Sequence, residues 1–231
     1  SDRIVFFGGA GVSTESNIPD FRSQDGLYNQ KTQYPYPPEV MLSRSFFDSH
    51  PKEFFQFYFD RMIALDAVPN PAHYALAKLE KEGKLSAVIT QNIDGLHQKA
   101  GSVNVLELHG SVLRNYCMTC GKYYGLEDVL KLRDENGIPR CELDQSIIKP
   151  DVVLYEEGLD SDILEKSISY IRNADVLIIG GTSLAVYPAA GLIDYYQGDK
   201  LVLINKSKTS RDAYANLVIH EAIGETLGVY A

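Results

Sequence analysis

The 231-residue sequence has little cysteine and no surplus of basic side chains. Three cysteines are too few, and odd in number, for the disulfide framework of a secreted protein, so we expect a reducing, cytoplasmic setting. The 31 acidic and 22 basic side chains give a net charge of −9. This balance argues against nucleic acid as the main partner, because phosphate binding needs clustered lysine and arginine.

The first residues also show no signal-peptide pattern, and the sequence has no long apolar run. The first ten residues do not combine a basic start with an apolar core. The longest uncharged run, residues 176–193, reaches only the lower length of a membrane span, and its glycine pair and Pro188 indicate a strand, a turn and the start of a helix. We therefore predict no membrane partner.

Short apolar runs alternate with amphipathic stretches along the chain. Helical spacing of apolar residues predicts helices at 51–66, 72–82 and 161–172. Runs rich in β-branched residues predict buried strands at 4–7, 87–90, 105–108, 176–179, 201–204 and 217–219. Strands that alternate with helices favour an α/β fold with a doubly wound parallel sheet.

Two segments break this alternation. Residues 25–38 are rich in tyrosine, glutamine and proline, and residues 117–150 hold all three cysteines together with a short helical pattern at 126–134. We interpret both segments as insertions into the α/β domain.

A glycine turn, Gly8-Gly9-Ala10-Gly11, follows the first predicted strand. Such a turn lets backbone amides approach a pyrophosphate near the start of a helix. Thr14 stands where the dehydrogenase fingerprint has its third glycine, which disfavours a hydride-transferring enzyme. A tight turn without a ligand explains these residues equally well when they are taken alone.

The cysteines have the spacing of a zinc ribbon with one thiol replaced. Cys117 and Cys120 are followed by Cys141, and Asp144 occupies the position of the fourth thiolate. Zinc also accepts carboxylate oxygen, so a structural site of three thiolates and one carboxylate is chemically sound. The alternative is a module without metal that folds on apolar packing.

Four further motifs carry a family resemblance. They read IPDFRS at residues 18–23, TQNIDGLH at 90–97, LHGS at 108–111 and GTSLAVYPA at 181–189. In this order they resemble the sirtuins, the NAD-dependent protein-lysine deacylases, over nearly the whole chain. The resemblance implies a protein-lysine deacetylase that transfers the acyl group to ADP-ribose and releases nicotinamide.

The resemblance also implies a Rossmann-like parallel sheet with a smaller inserted domain. The NAD-binding domain would comprise residues 1–28, 73–113 and 149–231. A helical insertion would span 29–72, and a zinc-ribbon-like insertion would span 114–148. NAD and an acylated-lysine peptide would meet in the cleft between them.

Three residues are the catalytic candidates that the resemblance implies. His109 would be the base that activates a ribose hydroxyl, and the usual pKa of imidazole, about 6.5, suits this task. Asn92 and Asp94 would bind the nicotinamide amide; both residue types also cap helices, and the two roles can coexist.

The other cofactor-binding candidates come from the same motifs and from later strand ends. Phe21 would shield the reacting sugar, Arg22 would neutralise phosphate or order its loop, and Ser13 would contact the cofactor or cap a helix. Ala222, with Ile223, would line the adenine pocket or pack in the core. The remaining candidates are Gly9, Ala10, Gly11, Asp20, Gln91, Ile93, Gly181, Thr182, Ser183, Asn205 and Lys206.

Peptide substrates would add as a strand to the segment that follows the cysteines. The residues implied are Val152, Val153, Leu154 and Tyr155, with the acyl-lysine tunnel near Val153 and Tyr155. Tyr155 and Glu156 replace the Phe and Gly of the Phe-Gly-Glu motif that is usual in the family. The alternative is an acidic, solvated strand edge that deters aggregation.

Three other functions remain as alternatives. Tyr58 and Arg61 resemble the pair that recognises acidic acyl groups in some sirtuins, which would make the protein a desuccinylase. A non-catalytic NAD or ADP-ribose binder is the second, and a zinc-ribbon nucleic-acid binder, disfavoured by the charge, is the third. We expect a monomer.

Overall fold

The computed structural model describes residues 1–21, 26–27 and 34–231. The strands in chain order are β1 Ile4–Gly8, β2 Leu85–Thr90, β3 Val105–Glu107, β4 Gly110–Cys117, β5 Tyr123–Tyr124, β6 Ile148–Val152, β7 Val176–Gly180, β8 Leu201–Ile204 and β9 Leu217–Ile219. The α-helices are α1 Pro38–Met41, α2 Arg44–Ser49, α3 Pro51–Arg61, α4 Pro71–Lys81, α5 Leu96–Lys99, α6 Leu126–Lys131, α7 Ser161–Asn173 and α8 Ile223–Leu227.

Six strands form a parallel sheet in the order β3-β2-β1-β7-β8-β9. The chain starts at the central strand β1, builds one half through β2 and β3, and then crosses to β7 to build the other half. The order of the strands therefore reverses between β1 and β7. The predicted doubly wound sheet and all six predicted strands are confirmed.

Both faces of this sheet are buried, which explains the continuous apolar runs in its strands. Val5 and Phe7 of β1 point to one face and pack with Ile171 of α7. Phe6, between them, points to the other face and packs with Leu76 of α4 and Ile223 of α8. The two-residue period of the strand thus sends successive side chains into two separate cores.

The helices α1 to α3 form an aromatic-rich module beside the sheet. Phe47, Phe54 and Phe55 are fully buried and stack edge to face with ring centroids 5.0 to 5.8 Å apart. The predicted helix 51–66 ends earlier, at Arg61, and Leu65 beyond it is exposed. Half of the predicted insertion 25–38 lies outside the described residues.

A second, antiparallel sheet has the order β5-β4-β6 and carries the three cysteines with α6. Its small core joins Tyr124, Val129 and Ile148 to the side chains of Cys117 and Cys141. The predicted helix at 126–134 is shorter and ends at Lys131.

The segment after β1 differs from the expectation. Two single 3₁₀ turns, Ala10–Val12 and Thr14–Ser16, replace the helix whose start was predicted to face a phosphate. The run 176–193 contains β7, a turn and the start of a 3₁₀ helix, Ala189–Tyr195, as predicted. Among the helices of the described residues, none has the length and apolarity needed to cross a membrane.

Candidate active site

A cleft of about 1550 Å³ opens at the carboxyl ends of the parallel strands. One wall comes from the loops after β1 and β7, where the strand order reverses, which is where open α/β sheets bind ligands. Val152 and the segment after it, together with Tyr58 and Arg61, form another wall. The sequence-predicted residues that line it are Ala10, Gly11, Ser13, Asp20, Phe21, Gln91, Asn92, Ile93, Asp94, His109, Val152, Val153, Leu154, Tyr155, Gly181, Thr182, Ser183, Asn205, Lys206 and Ala222.

The glycine turn after β1 packs directly against the loop after β7. The Gly11 N–H donates to the Gly181 carbonyl at 2.7 Å, and a Cβ on Gly11 would lie 2.7 Å from the Gly181 Cα. Gly9 lies just below the cleft, where a Cβ would meet the Gln91 side chain at 2.8 Å. Gly11 is therefore glycine because two backbones touch here, and Gly9 because the Gln91 side chain leaves no room for a Cβ.

Ser13, Asn92 and Asp94 form one hydrogen-bonded cluster in the cleft. The Ser13 hydroxyl donates to Asp94 Oδ2 at 2.6 Å, and Asn92 Nδ2 donates to the Gly9 carbonyl at 2.9 Å. Asp94 Oδ1 also accepts from the Leu96 N–H at 2.9 Å, so this carboxylate does cap α5. Asn92 and Ser13 make no such cap bond. The amide and carboxylate that could pair with a carboxamide are thus held in place, half-buried or buried.

Gln91 and Thr182 connect the two halves of the sheet. The Thr182 hydroxyl donates to Gln91 Oε1 at 2.8 Å, and the Gln91 N–H donates to the Gly8 carbonyl at 3.0 Å. Because Gln91 follows β2 and Thr182 follows β7, this bond crosses the end of β1. It fixes polar groups where a ribose would lie in the predicted complex.

His109 follows β3 and lies half-buried in the cleft. Its Nδ1 is 3.0 Å from the Gln91 carbonyl oxygen. Since a carbonyl only accepts, Nδ1 carries the proton and Nε2 is left as a proton acceptor. Burial lowers the pKa of His109, partly offset by the Gln91 carbonyl, so the imidazole is neutral at neutral pH.

The residue after His109 must be glycine. Gly110 has a φ of +79°, and a Cβ there would lie 1.9 Å from the Asp151 carbonyl oxygen of β6. The close pairing of β4 with β6 therefore depends on this position, and it brings the segment after β6 beside His109.

The far end of the cleft is built by the loops after β8 and β9. Asn205 follows β8, its side chain bonds to the Ser207 carbonyl at 3.0 Å, and Lys206 is exposed. Ala222 and Ile223 line the cleft and are also buried, and Ile223 belongs to the core under the sheet. Both of their predicted alternatives, cleft lining and core packing, are therefore compatible.

The segment that holds the cofactor-binding candidates Asp20, Phe21 and Arg22 is described only in part. Phe21 is half-buried and packs against the aromatic core of the helical module, and the Asp20 carbonyl accepts from the Leu27 N–H at 2.8 Å. Arg22 lies outside the described residues. Phe21 thus lies between the helical module and the cleft.

The predicted peptide-binding segment begins where β6 ends. Val152 pairs with Gly110, and the next residue, Val153, donates its N–H to the His109 carbonyl at 2.9 Å. Val152 and Leu154 are buried, Val153 is half-buried and Tyr155 is exposed. This wall therefore reaches from the His109 backbone to the open surface.

Tyr58 and Arg61 come from α3 and line the same cleft. The Tyr58 hydroxyl is fully buried and has no hydrogen-bond partner among the described residues. Arg61 lies beside Asp60, with Nε 3.2 Å from Oδ2. Burial raises the pKa of Tyr58 far above its usual value, so the hydroxyl keeps its proton and can donate.

The three cysteines and Asp144 converge away from the cleft. Their ligand atoms all lie within 4.8 Å of one another. Cys120 and Cys141 have their sulfurs 3.6 Å apart, and Cys117 Sγ is 3.4 Å from Asp144 Oδ1. A tetrahedral zinc with Zn–S bonds of about 2.3 Å would place its thiolates roughly 3.8 Å apart. The donor set and the spacing therefore fit a structural zinc ion.

Backbone amides already surround these sulfurs. Thr119 and Cys120 donate N–H groups to Cys117 Sγ, and Leu143 donates to Cys141 Sγ, each at 3.4 Å. Donors of this kind orient and stabilise thiolate ligands. They support the metal-binding interpretation over a module that relies on apolar packing alone.

Sequence reasoning missed several residues of the cleft. Lys208 and Glu221 line its far end, and Ile18 and Asn17 line it near the glycine turn. Ile18 opens the motif at residues 18–23 but was not singled out, and the other three belong to no recognisable motif. The available signal was position, because Lys208 and Glu221 follow the carboxyl ends of predicted parallel strands.

Comparisons with known proteins agree with this geometry. A sequence profile described as the Sir2 family matches residues 9–188. The chain is 63% identical to an NAD-dependent protein deacetylase of Clostridium acetobutylicum, over 98% of this chain and 92% of that one. It is 44% identical to an NAD-dependent protein deacetylase of Staphylococcus aureus, over 96% and 89% of the two chains.

Solved structures give the same result in three dimensions. A Sir2 complex with a p53 peptide and NAD⁺ superposes with a TM-score of 0.86 at 42% identity, over 97% of this chain and 90% of that chain. A Sir2 variant with a deacetylated p53 peptide and 3′-O-acetyl-ADP-ribose gives 0.88 at 42% identity, with the same coverage. The sheet with its reversal point, the cleft and the cysteine cluster therefore all agree with the sequence match: the chain belongs to the Sir2 family.

Proposed function

We propose that this protein is an NAD-dependent protein-lysine deacetylase. One observation carries the proposal: a neutral, half-buried His109 and the Ser13–Asn92–Asp94 cluster line one cleft, beside a segment able to hold a peptide. The names of the relatives support the same activity. NAD and acylated-lysine proteins are the proposed substrates, and we retain zinc as a structural ion.

The bound dinucleotide supplies a ribose carbon that parts from nicotinamide and accepts the acyl oxygen. Asn92 and Asp94 hold the nicotinamide amide, while Gln91 and Thr182 orient the ribose. Phe21, half-buried against the helical module, helps to exclude water from the reacting centre.

His109 removes a proton from a ribose hydroxyl through Nε2. The Gln91 carbonyl holds the proton on Nδ1 and so keeps the ring in this tautomer. Because burial lowers the pKa of His109, the base stays unprotonated at pH values below the ordinary 6.5 of imidazole.

The test is an acetyl-lysine peptide incubated with and without NAD. We expect nicotinamide release and deacetylation that depend on NAD, and an acid limb of the pH–rate profile below pH 6.5. His109→Ala should lower kcat by at least about a hundredfold while the melting temperature stays close to that of the wild type.

Two results would contradict this proposal. Retained turnover in His109→Ala would remove His109 from its role. NAD binding by the wild type without any deacylation would instead favour the non-catalytic NAD or ADP-ribose binder.

Removal of acidic acyl groups is a second candidate. The buried Tyr58 hydroxyl, which has no hydrogen-bond partner within residues 1–21, 26–27 and 34–231, and the Arg61 guanidinium in the same cleft favour it. Asp60 beside Arg61 opposes it, because one carboxylate already neutralises the arginine. We therefore expect an acetyl peptide to be turned over faster than a succinyl peptide.

Paired variants test this candidate. Tyr58→Phe and Arg61→Leu should lower kcat/KM for a succinyl peptide roughly tenfold, the value of a charge-assisted hydrogen bond, and leave the acetyl peptide nearly unchanged. Equal losses on both peptides would mean that the two residues only support the fold.

The proposal also covers the division of the chain into modules, its oligomeric state and its location. The strand β4 begins at Gly110 and β6 ends at Val152, which supports an inserted module near residues 114–148 within the larger domain. A helical module near 29–72 is supported by the aromatic core of α1 to α3, which also packs against Val112 and Val152 of the antiparallel sheet. A monomer in the cytoplasm remains our proposal from the sequence.

A further inference from the structure

A tight turn closes the peptide-binding segment. The Leu154 carbonyl accepts the Glu157 N–H at 3.0 Å, so Leu154 to Glu157 form a four-residue turn. Glu156, its third residue, has a φ of +79°. Turns of this type favour glycine at the third position, because a side chain there strains the backbone. Glutamate at this position therefore needs a compensating contact.

The Glu156 carboxylate makes such a contact. Its Oε1 accepts the Ser45 N–H, in the first turn of α2, at 2.8 Å. The first N–H groups of a helix have no partner inside the helix, so a carboxylate is well suited to this place. The bond lowers the pKa of Glu156, which is consistent with an ionised acceptor. Glu156 thus links the turn to the helical module.

Neighbouring contacts fix the same segment on the same side. The Tyr155 N–H donates to the Leu42 carbonyl at 3.1 Å, and the Tyr155 carbonyl accepts the Arg44 N–H at 3.0 Å. Glu157 lies between two cations, with 3.0 Å to Arg44 Nη1 and 3.4 Å to Lys149 Nζ.

The other end of the segment is tied to the reacting centre. Val153 donates its N–H to the carbonyl of His109, only three residues before Glu156. Because the segment is short, a shift of the turn moves the wall against which an acyl-lysine peptide lies.

We propose that Glu156 is a positioning residue for the acylated peptide, holding the Leu154–Glu157 turn against α2 and so fixing the peptide-binding segment beside His109. This inference rests on the proposed deacetylase function. Its competitor is direct recognition, in which the exposed Glu156 carboxylate attracts basic residues of the peptide.

Three substitutions separate the two explanations. Glu156→Ala keeps the strained backbone and loses the acceptor. Glu156→Gln keeps an acceptor without the charge, and Glu156→Gly loses the acceptor but relieves the strain. Glu165→Ala is the matched control, because Glu165 is an exposed carboxylate on α7, away from the cleft lining.

The steady-state constants of these variants are measured with an acetyl-lysine peptide. We expect Glu156→Ala to raise the KM for the peptide roughly fivefold, the value of one net hydrogen bond, with kcat and the KM for NAD unchanged. Glu156→Gln and Glu156→Gly should recover most of the wild-type KM, and Glu165→Ala should not alter it. Melting temperatures show that each variant folds.

Two outcomes overturn the inference. An unchanged peptide KM in Glu156→Ala would show that the turn does not need the hydrogen bond between Ser45 and Glu156. An equal rise in all three variants, stronger at low salt, would show that the charge acts directly on the peptide. If the wild type does not deacetylate at all, the proposed function fails, and calorimetric titration of the same peptide into the same variants then tests the positioning role by Kd.

Discussion

Two buried histidines lie side by side on neighbouring helices. His73 on α4 and His97 on α5 are fully buried, with ring centroids 4.9 Å apart. His73 Nδ1 accepts the Asn70 N–H at 3.0 Å and completes the cap of α4. Burial lowers the pKa of His73 to about 4 and that of His97 to about 3, so both rings are neutral in the folded protein.

Because of these two histidines, we expect the protein to lose stability in mild acid. Each folded-state pKa lies below the unfolded value of about 6.5, so the unfolded chain binds the protons first as the pH falls. Between pH 6.5 and 5 the free energy of unfolding should fall by about 1 kcal/mol per pH unit for each histidine, and the slope approaches about 1.4 kcal/mol per unit at the acid end. Urea titrations over this range measure the slope.

A variant isolates the contribution of one ring. His97→Gln should reduce that slope by about half, even if it lowers the stability at pH 7. An unchanged slope would mean that other groups bind the protons.

At the scale of the element, the antiparallel sheet β5-β4-β6 joins two sites. Its strand β4 starts at Gly110, next to the proposed base, and ends at Cys117 in the cysteine cluster. The cluster packs with Tyr124 and Ile148 in a small core. A metal here would hold the outer end of this sheet, far from the reacting atoms.

Metal analysis with variants at position 144 tests this arrangement. We expect one zinc per chain after purification without chelator. Asp144→Cys should hold zinc against a stronger chelator, because a fourth thiolate is a softer ligand, and Asp144→Ala should release it more readily. Inductively coupled plasma mass spectrometry gives the zinc content.

Substoichiometric zinc in the wild type, together with a melting temperature that a chelator does not change, would reject the metal site and leave apolar packing as the support of this module.

At the scale of the whole molecule, one reversal of strand order creates the site. The chain leaves β3 at one edge of the sheet and returns to form β7 beside β1. The loops after β1 and β7 therefore lie side by side, and Gly11 and Gly181 touch there. The helical module and the antiparallel sheet add the wall that carries Tyr58 and Val153. The charge of −9 agrees with basic peptides as partners, although charge alone does not select them.

Much of this arrangement could be predicted from the sequence, because its signals are local. The six parallel strands are continuous apolar runs, and the motif residues Asn92, Asp94 and His109 follow strand ends. Helix ends were less predictable. The pattern of α3 continues to residue 66, but the chain leaves the helix at Arg61, since apolar spacing does not mark where tertiary packing stops.

The sequence by itself determined the alternation of strands and helices, the family motifs and the set of candidate metal ligands, because each depends on residue type and spacing. Only the tertiary structure decided which alternatives hold. It showed that Asp94 caps α5 and also binds Ser13, that two 3₁₀ turns replace the expected helix after β1, and that Glu156 supports a strained turn through Ser45. The Ser13–Asp94 and Ser45–Glu156 bonds join residues far apart in the chain, so no local pattern encodes them.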